Sequence, residues 1–151
     1  MDKDLKTALL NQCKNVVENR YNKIKQTIAG IEESLFEESK SSAGDKHETG
    51  RAMLQIDREN AGKQLQEIEK LQQLVRKIDV NSKSDYVRLG SLVYTNQATY
   101  FMGISIGAVT VGKTSYICVA LNSPIGQLLS GKKKGENFMF NEKEYTIKSV
   151  V

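Results

Sequence analysis

Two carboxylates, Asp45 and Glu48, stand three residues apart in the polar stretch Ser41-Ser42-Ala43-Gly44-Asp45-Lys46-His47-Glu48-Thr49-Gly50, which holds no apolar residue larger than alanine. Carboxylate oxygens suit Mg2+, a hard cation that keeps several waters and takes one or two protein carboxylates beside ligands from elsewhere. Such a pair on an exposed loop holds the ion weakly alone, so a metal role requires a partner that supplies the other ligands. The same spacing also suits a helix N-cap followed by an acid in the first turn, where both groups answer unpaired N–H donors and the positive end of the helix dipole. Both roles coexist only where at least one carboxylate faces outward.

Other chemistry finds little footing. His47 is the only histidine, and in a polar loop it reads as a solvated side chain rather than a base. No second histidine, cysteine or activated serine stands beside it, so a self-contained hydrolase of the triad kind has no support. Gly103, Gly107 and Gly112 precede no helix and read as turn or bulge residues rather than a phosphate-binding loop. Cys13 and Cys118 show neither zinc-site spacing nor the density of a disulfide scaffold and read as buried small hydrophobes. The net charge of +4 is mild. Its excess lies after residue 79, where 8 basic residues face 4 acidic ones, against 14 and 14 before it. Lys132-Lys133-Lys134 concentrates it, as a solvated surface or a contact for an acidic partner. No signal peptide and no membrane-spanning run is legible, which leads to the expectation of a cytoplasmic protein.

The elements that position the carboxylates follow from periodicity. Leu5, Leu9, Cys13, Val16, Val17, Ile24, Ile28, Ile31 and Leu35 recur mostly at spacings of three and four, and predict one long helix. Ala52, Ile56, Leu65, Ile68, Leu71, Val75 and Ile78 predict a second. Narrow seams joined by about ten residues fold back most simply as an antiparallel coiled-coil hairpin, an arm of about 50 Å for about 35 residues at 1.5 Å each. Turn residues around Ile78–Asp85 mark a boundary. Beyond it, Ser91–Thr95, Tyr100–Ile106, Tyr116–Leu121, Phe138–Phe140 and Tyr145–Val150 predict strands of an antiparallel sheet. Ser123, Pro124 and Gly131 frame one short helix between the third and fourth strands. The expected fold is α+β, with a hairpin over residues 1–79, an acidic tip loop at 41–50, and a sheet domain over 80–151.

Two stretches together resemble a known family. Gly44-Asp45-x-x-Glu48 between two long helices is similar to the tip of the Gre-type transcript cleavage factors of bacterial RNA polymerase. Leu121-Asn122-Ser123-Pro124-Ile125-Gly126, then Leu129-x-Gly131-Lys132-Lys133-x-Gly135 and the closing Glu144-Tyr145-Thr146-Ile147, resemble that family's C-terminal signature. The resemblance spans nearly the whole chain. It implies a coiled-coil arm that enters the polymerase's secondary channel and a C-terminal domain of FKBP-like fold, without prolyl isomerase activity, that docks on the rim. It implies that Asp45 and Glu48 help to hold a Mg2+ shared with the polymerase, near the nascent RNA 3′ end. It implies that Asn122, Ser123, Pro124 and Ile125 contact the rim, although the same residue types equally suit a capped helix start.

The chain departs from the family after its second tip acid, where Thr49-Gly50-Arg51-Ala52-Met53 replaces an Asn and an acidic, aromatic-containing run. The resemblance nevertheless implies an elongation factor, expected to be a monomer, that stimulates the polymerase's own cleavage of backtracked RNA and is not itself an enzyme. Two other readings stand beside it: a secondary-channel regulator that does not support cleavage, and a coiled-coil adaptor unrelated to polymerase. Lys40, Lys46 and Arg51 near the tip read either as attractors of RNA phosphate or as solvated charges.

Overall fold

The computed structural model describes residues 2–40 and 44–151; Ser41, Ser42 and Ala43 of the expected tip loop, and the side chains of residues 39–47, lie outside the described part. Helix α1 (Asp2–Lys40) opens with Asp2 and Asp4 in its first turn, where acids favour the positive end of the dipole. Helix α2 (Gly44–Arg76) follows. Residues 44–50, expected as loop, form its opening turns: once Gly44 starts a helix, the run from Asp45 to Arg51 contains no proline to stop it.

The chain divides into two compact units, one comprising Met1–Val16 with Gln73–Val151 and the other Val17–Gln72. Both helices therefore contribute residues to both units, and the outer turns of the hairpin group with the sheet.

Unit Val17–Gln72 is an antiparallel helix pair. Ile24, Ile28 and Ala61 are its buried seam, with Ile31, Leu65 and Ile68 packed against them at partial exposure. Arg58 Nε donates to Glu32 Oε1 across the pair at 3.1 Å, an exposed bridge of the kind that contributes little to stability. The expected seam shifts at its outer end. Ile56 is 56% exposed and Ala52 is exposed, while Ala61 takes the buried position. Small Ala61 lets the helices approach where a larger side chain would hold them apart.

The other unit is built on a six-stranded sheet: β1 (Leu92–Thr95), β2 (Thr99–Gly103), β3 (Gly107–Val111), β4 (Thr114–Ala120), β5 (Asn137–Phe140) and β6 (Lys143–Val150), in the order β3-β4-β2-β1-β6-β5. With the short helix α3 (Pro124–Leu129), this is an α+β domain. Four of its pairings are antiparallel as expected, but β2 and β4 run parallel, with Tyr100 opposite Ile117 and Gly103 opposite Ala120. The parallel pair arises because β3, absent from the expected strands, pairs with the outer side of β4 and carries the chain back. Gly107 (φ +78°) and Gly112 (φ +64°) enter and leave β3 in a conformation that L side chains rarely adopt. Gly112-Lys113 forms a two-residue turn between Val111 and Thr114.

Alternation along the strands sorts the core onto two faces. Val93, Tyr100, Met102, Val119, Tyr145 and Ile147 share one cluster with Leu129 and Phe138, against which Ile125 and Leu128 of α3 pack. Their neighbours Leu92, Phe101 and Cys118 are fully buried on the opposite face. There the Cys118 thiol lies beside Cys13 of α1, close enough for the two to influence each other, and the Ile78 side chain approaches Gly103 closely enough that an added Cβ would lie 3.2 Å from it. The two cysteines are buried, as expected, and are also brought together. The interaction with Cys13, and after it burial, holds the Cys118 thiol far above the ordinary range, while the same interaction lowers that of Cys13.

Candidate functional site

The residues singled out for chemistry occupy two places, one in each unit. At the first, Asp45 and Glu48 lie at the start of α2 at positions i and i+3, which share one face of a helix. Glu48 is exposed to solvent; the side chains of Asp45, Lys46 and His47, like that of Lys40, lie outside the described residues. Among the described residues, no group of three or more His, Cys, Asp or Glu comes together to hold a metal. A two-carboxylate set of this kind fits a Mg2+ that takes its remaining ligands from water and a partner, and does not fit a self-sufficient cage.

The departures after Glu48 have definite local roles. Arg51 is half-buried, and its Nη2 donates to the Glu38 carbonyl at 3.3 Å. Glu38 lies in the last turn of α1, where carbonyls lack helical partners and carry the negative end of the dipole, so the guanidinium closes that helix end. Gly50 is helical, and a Cβ added there would meet the Glu38 carboxyl at an ordinary 3.6 Å. The helix thus tolerates this glycine without needing it, at a cost of roughly 0.5–1 kcal/mol relative to alanine.

The second place is the start of α3. Ser123 is its N-cap, with extended backbone (φ −71°, ψ 161°), and its hydroxyl accepts from Gly126 N at 3.1 Å while donating to the Ala120 carbonyl at 2.7 Å. Pro124 follows at the position where a missing N–H costs nothing. Gly126 is fixed by close approach: a Cβ there would fall 1.9 Å from the Ala120 carbonyl oxygen. Gln127 Nε2 donates to the Asn122 carbonyl at 3.0 Å. Asn122 and Pro124 are exposed, whereas Ser123 and Ile125 are partly buried, Ile125 against the core. The capped-helix role of Ser123 and Pro124 is therefore realised, and the outward surface of this motif is carried by Asn122 and Pro124.

The lysine run leaves α3 through Gly131 (φ +80°) and ends at Gly135 (φ +91°). Lys132 Nζ stands 5.8 Å over the Phe138 ring, and Lys133 N donates to Glu136 Oε2 at 2.5 Å. Lys133 and Lys134 are exposed, so these two carry the outward charge of the run.

Sequence reasoning missed Lys6. It lies on the expected apolar face of α1 between Leu5 and Leu9, and it is only 3% exposed. Burial lowers its pKa below the ordinary lysine value, opposed by Asp2, reinforced by Arg88 and Lys83, and opposed again by Asp79. Its position one residue after Leu5 in a seam spaced by threes and fours was the available signal.

No protein-family model matches the chain, and no match was found among curated proteins or solved structures. Among the described residues no helix is long and apolar enough to cross a membrane.

Proposed function

We propose that this chain is a transcription elongation factor of bacterial RNA polymerase, cytoplasmic and monomeric, that reaches the active centre through the secondary channel and stimulates cleavage of backtracked RNA by the polymerase itself. The observation that carries this reading is the placement of Asp45 and Glu48 on one face at the start of the second helix of an antiparallel pair, with Glu48 exposed. Residues 17–40 of α1 span about 36 Å at 1.5 Å each, enough to carry a carboxylate pair into a narrow channel.

In this reading the chain's own contribution is positional. Glu48 faces outward, one turn after Asp45, and the two offer carboxylate oxygens to a site whose other ligands belong to the polymerase. A shared Mg2+ there would supply Lewis-acid activation of water for phosphodiester hydrolysis. The sheet and α3 form the FKBP-like docking domain; of the four residues the resemblance assigns to the polymerase rim, Asn122 and Pro124 face it, and Ser123 and Ile125 hold the helix start that presents them.

A purified polymerase stalled in a backtracked complex tests this. Addition of the chain shortens the transcripts, and Asp45→Asn with Glu48→Gln reduces that cleavage by at least about a hundredfold, the scale of a lost catalytic ligand. Cleavage by the double variant at the wild-type rate sinks the metal role.

A second reading, channel occupancy without cleavage, is favoured by Arg51. It lies three residues after Glu48, a cation within one turn of the carboxylate that would meet the metal. That reading predicts displacement of other channel-binding factors with no new RNA 3′ ends. Failure to bind polymerase at all leaves the coiled-coil adaptor as the surviving function.

A further inference from the structure

Lys6 is the only buried charged side chain among the described residues. A buried ammonium without a counter-charge is strongly disfavoured, and its three N–H donors require acceptors. Lys6 has one: Nζ donates to the Ser82 carbonyl at a long 3.3 Å. Neither of the side-chain ion pairs formed among the described residues includes it. Lys6 lines a cavity of about 190 Å³ together with Asp2, Lys3, Val80, Asn81, Lys83 and Val151.

The charges around this cavity are unequal. Lys3, Lys6 and Lys83 line it, and Arg88 is close enough to act on Lys6, whereas the acidic groups are Asp2 and Asp79. Three lysines thus line the cavity against one acidic side chain, Asp2, while Arg88 and Asp79 act on Lys6 from outside the lining. Arg88 is held in place by Nη2 bonds to the Ser82 hydroxyl and, at 3.3 Å, to the Lys83 carbonyl. The 78–85 connection is fixed beside the cavity by Asn81 N donating to Asp79 Oδ1 at 2.9 Å. The volume equals about six waters at ~30 Å³ each, room for a tetrahedral oxyanion with part of its hydration. An anion held there would favour the charged form of Lys6 and supply acceptors for its remaining donors.

We propose that this cavity binds a phosphate group, either inorganic phosphate or the head of a small phosphomonoester, through Lys3, Lys6 and Lys83 with Asn81 as amide donor. The site lies entirely in the sheet unit and is independent of the cleavage reading, so the two stand or fall separately.

The full chain, labelled with nitrogen-15, is titrated with inorganic phosphate, with glycerol 3-phosphate, and with chloride at matched ionic strength. Phosphate is expected to move the amide signals of Lys6, Asn81 and Lys83 saturably, and chloride is not. Tighter binding of glycerol 3-phosphate assigns the site to esters, and tighter binding of phosphate assigns it to the free ion. Lys6→Met keeps the apolar stem and is expected to weaken binding by about tenfold or more, the effect of losing a charge-assisted hydrogen bond. Lys83→Gln, at an exposed residue, weakens it without disturbing buried packing, while Lys113→Gln in the distant β3–β4 turn does not. Unsaturable shifts shared with chloride, or unchanged affinity in both Lys6→Met and Lys83→Gln, overturn the proposal.

Discussion

The helix pair and the sheet solve the same problem of burial at very different depth. In the pair, Val17, Ile24, Ile28 and Ala61 are the buried apolar residues among those described, and the rest of the seam is partly wet. In the sheet, both faces are covered and side chains as large as Phe101, Met102 and Ile147 are shielded almost completely. A residue in the thin seam has few neighbours to lose, and one in the sheet has many. The contrast means that a substitution in the pair disturbs less packing than one in the sheet.

That comparison can be broken by substitution. Phe101→Ala removes a fully buried ring between β2 and the opposite-face core, and is expected to destabilise the sheet unit by about 3–5 kcal/mol. Chemical denaturation followed by sheet-sensitive circular dichroism measures it, and a loss below about 1 kcal/mol would show that face to be loosely packed. Ile28→Ala in the seam is expected to cost less, about 2 kcal/mol, at the lower end of the range for large-to-small changes. Hydrogen exchange checks where that loss falls. Amides of residues 17–40 and 44–72 should lose protection more than those of β1, β2 and β4, and uniform loss would mean that the two units open together.

The smallest expected effect sharpens the picture of the sheet's edge. The β5–β6 turn places Asn141 (φ 51°) and Glu142 (φ 66°) both in the left-handed region, as a two-residue hairpin of the I′ kind demands. Asn is favoured there and Glu is not. Glu142→Gly is expected to raise stability by about 0.5–1 kcal/mol, since relief of the left-handed strain exceeds the entropy added to the unfolded chain. The thermal midpoint records the gain.

Much of this architecture was legible in the residues themselves. Leu9, Cys13, Ile24 and Ile28 announced their helix by spacing, and Ser123-Pro124 announced a cap that is formed as read. What escaped has physical reasons. β3 is a short edge strand bounded by two glycines, and its mostly exposed residues leave no alternating pattern. The parallel β2–β4 pair depends on where β3 docks, a tertiary event that no local pattern encodes. At the tip, the polar composition of residues 44–50 suggested a loop, yet nothing in it forbids a helix, and the helix continues into it. Of the site residues, the cap geometry could be read directly. The common face of Asp45 and Glu48 became concrete only once α2 was seen to begin at Gly44.

The contact between Cys13 and Cys118 also bears on how the molecule can be watched. These are the only two thiols in the chain, and both are wholly shielded from solvent. A cysteine introduced at an exposed residue such as Met53 would be the one thiol open to a maleimide dye while the fold persists. Single-site labelling near the turn of the helix pair therefore needs no removal of native residues. A reagent that begins to modify Cys13 or Cys118 reports, by that fact alone, that α1 has lifted from β4.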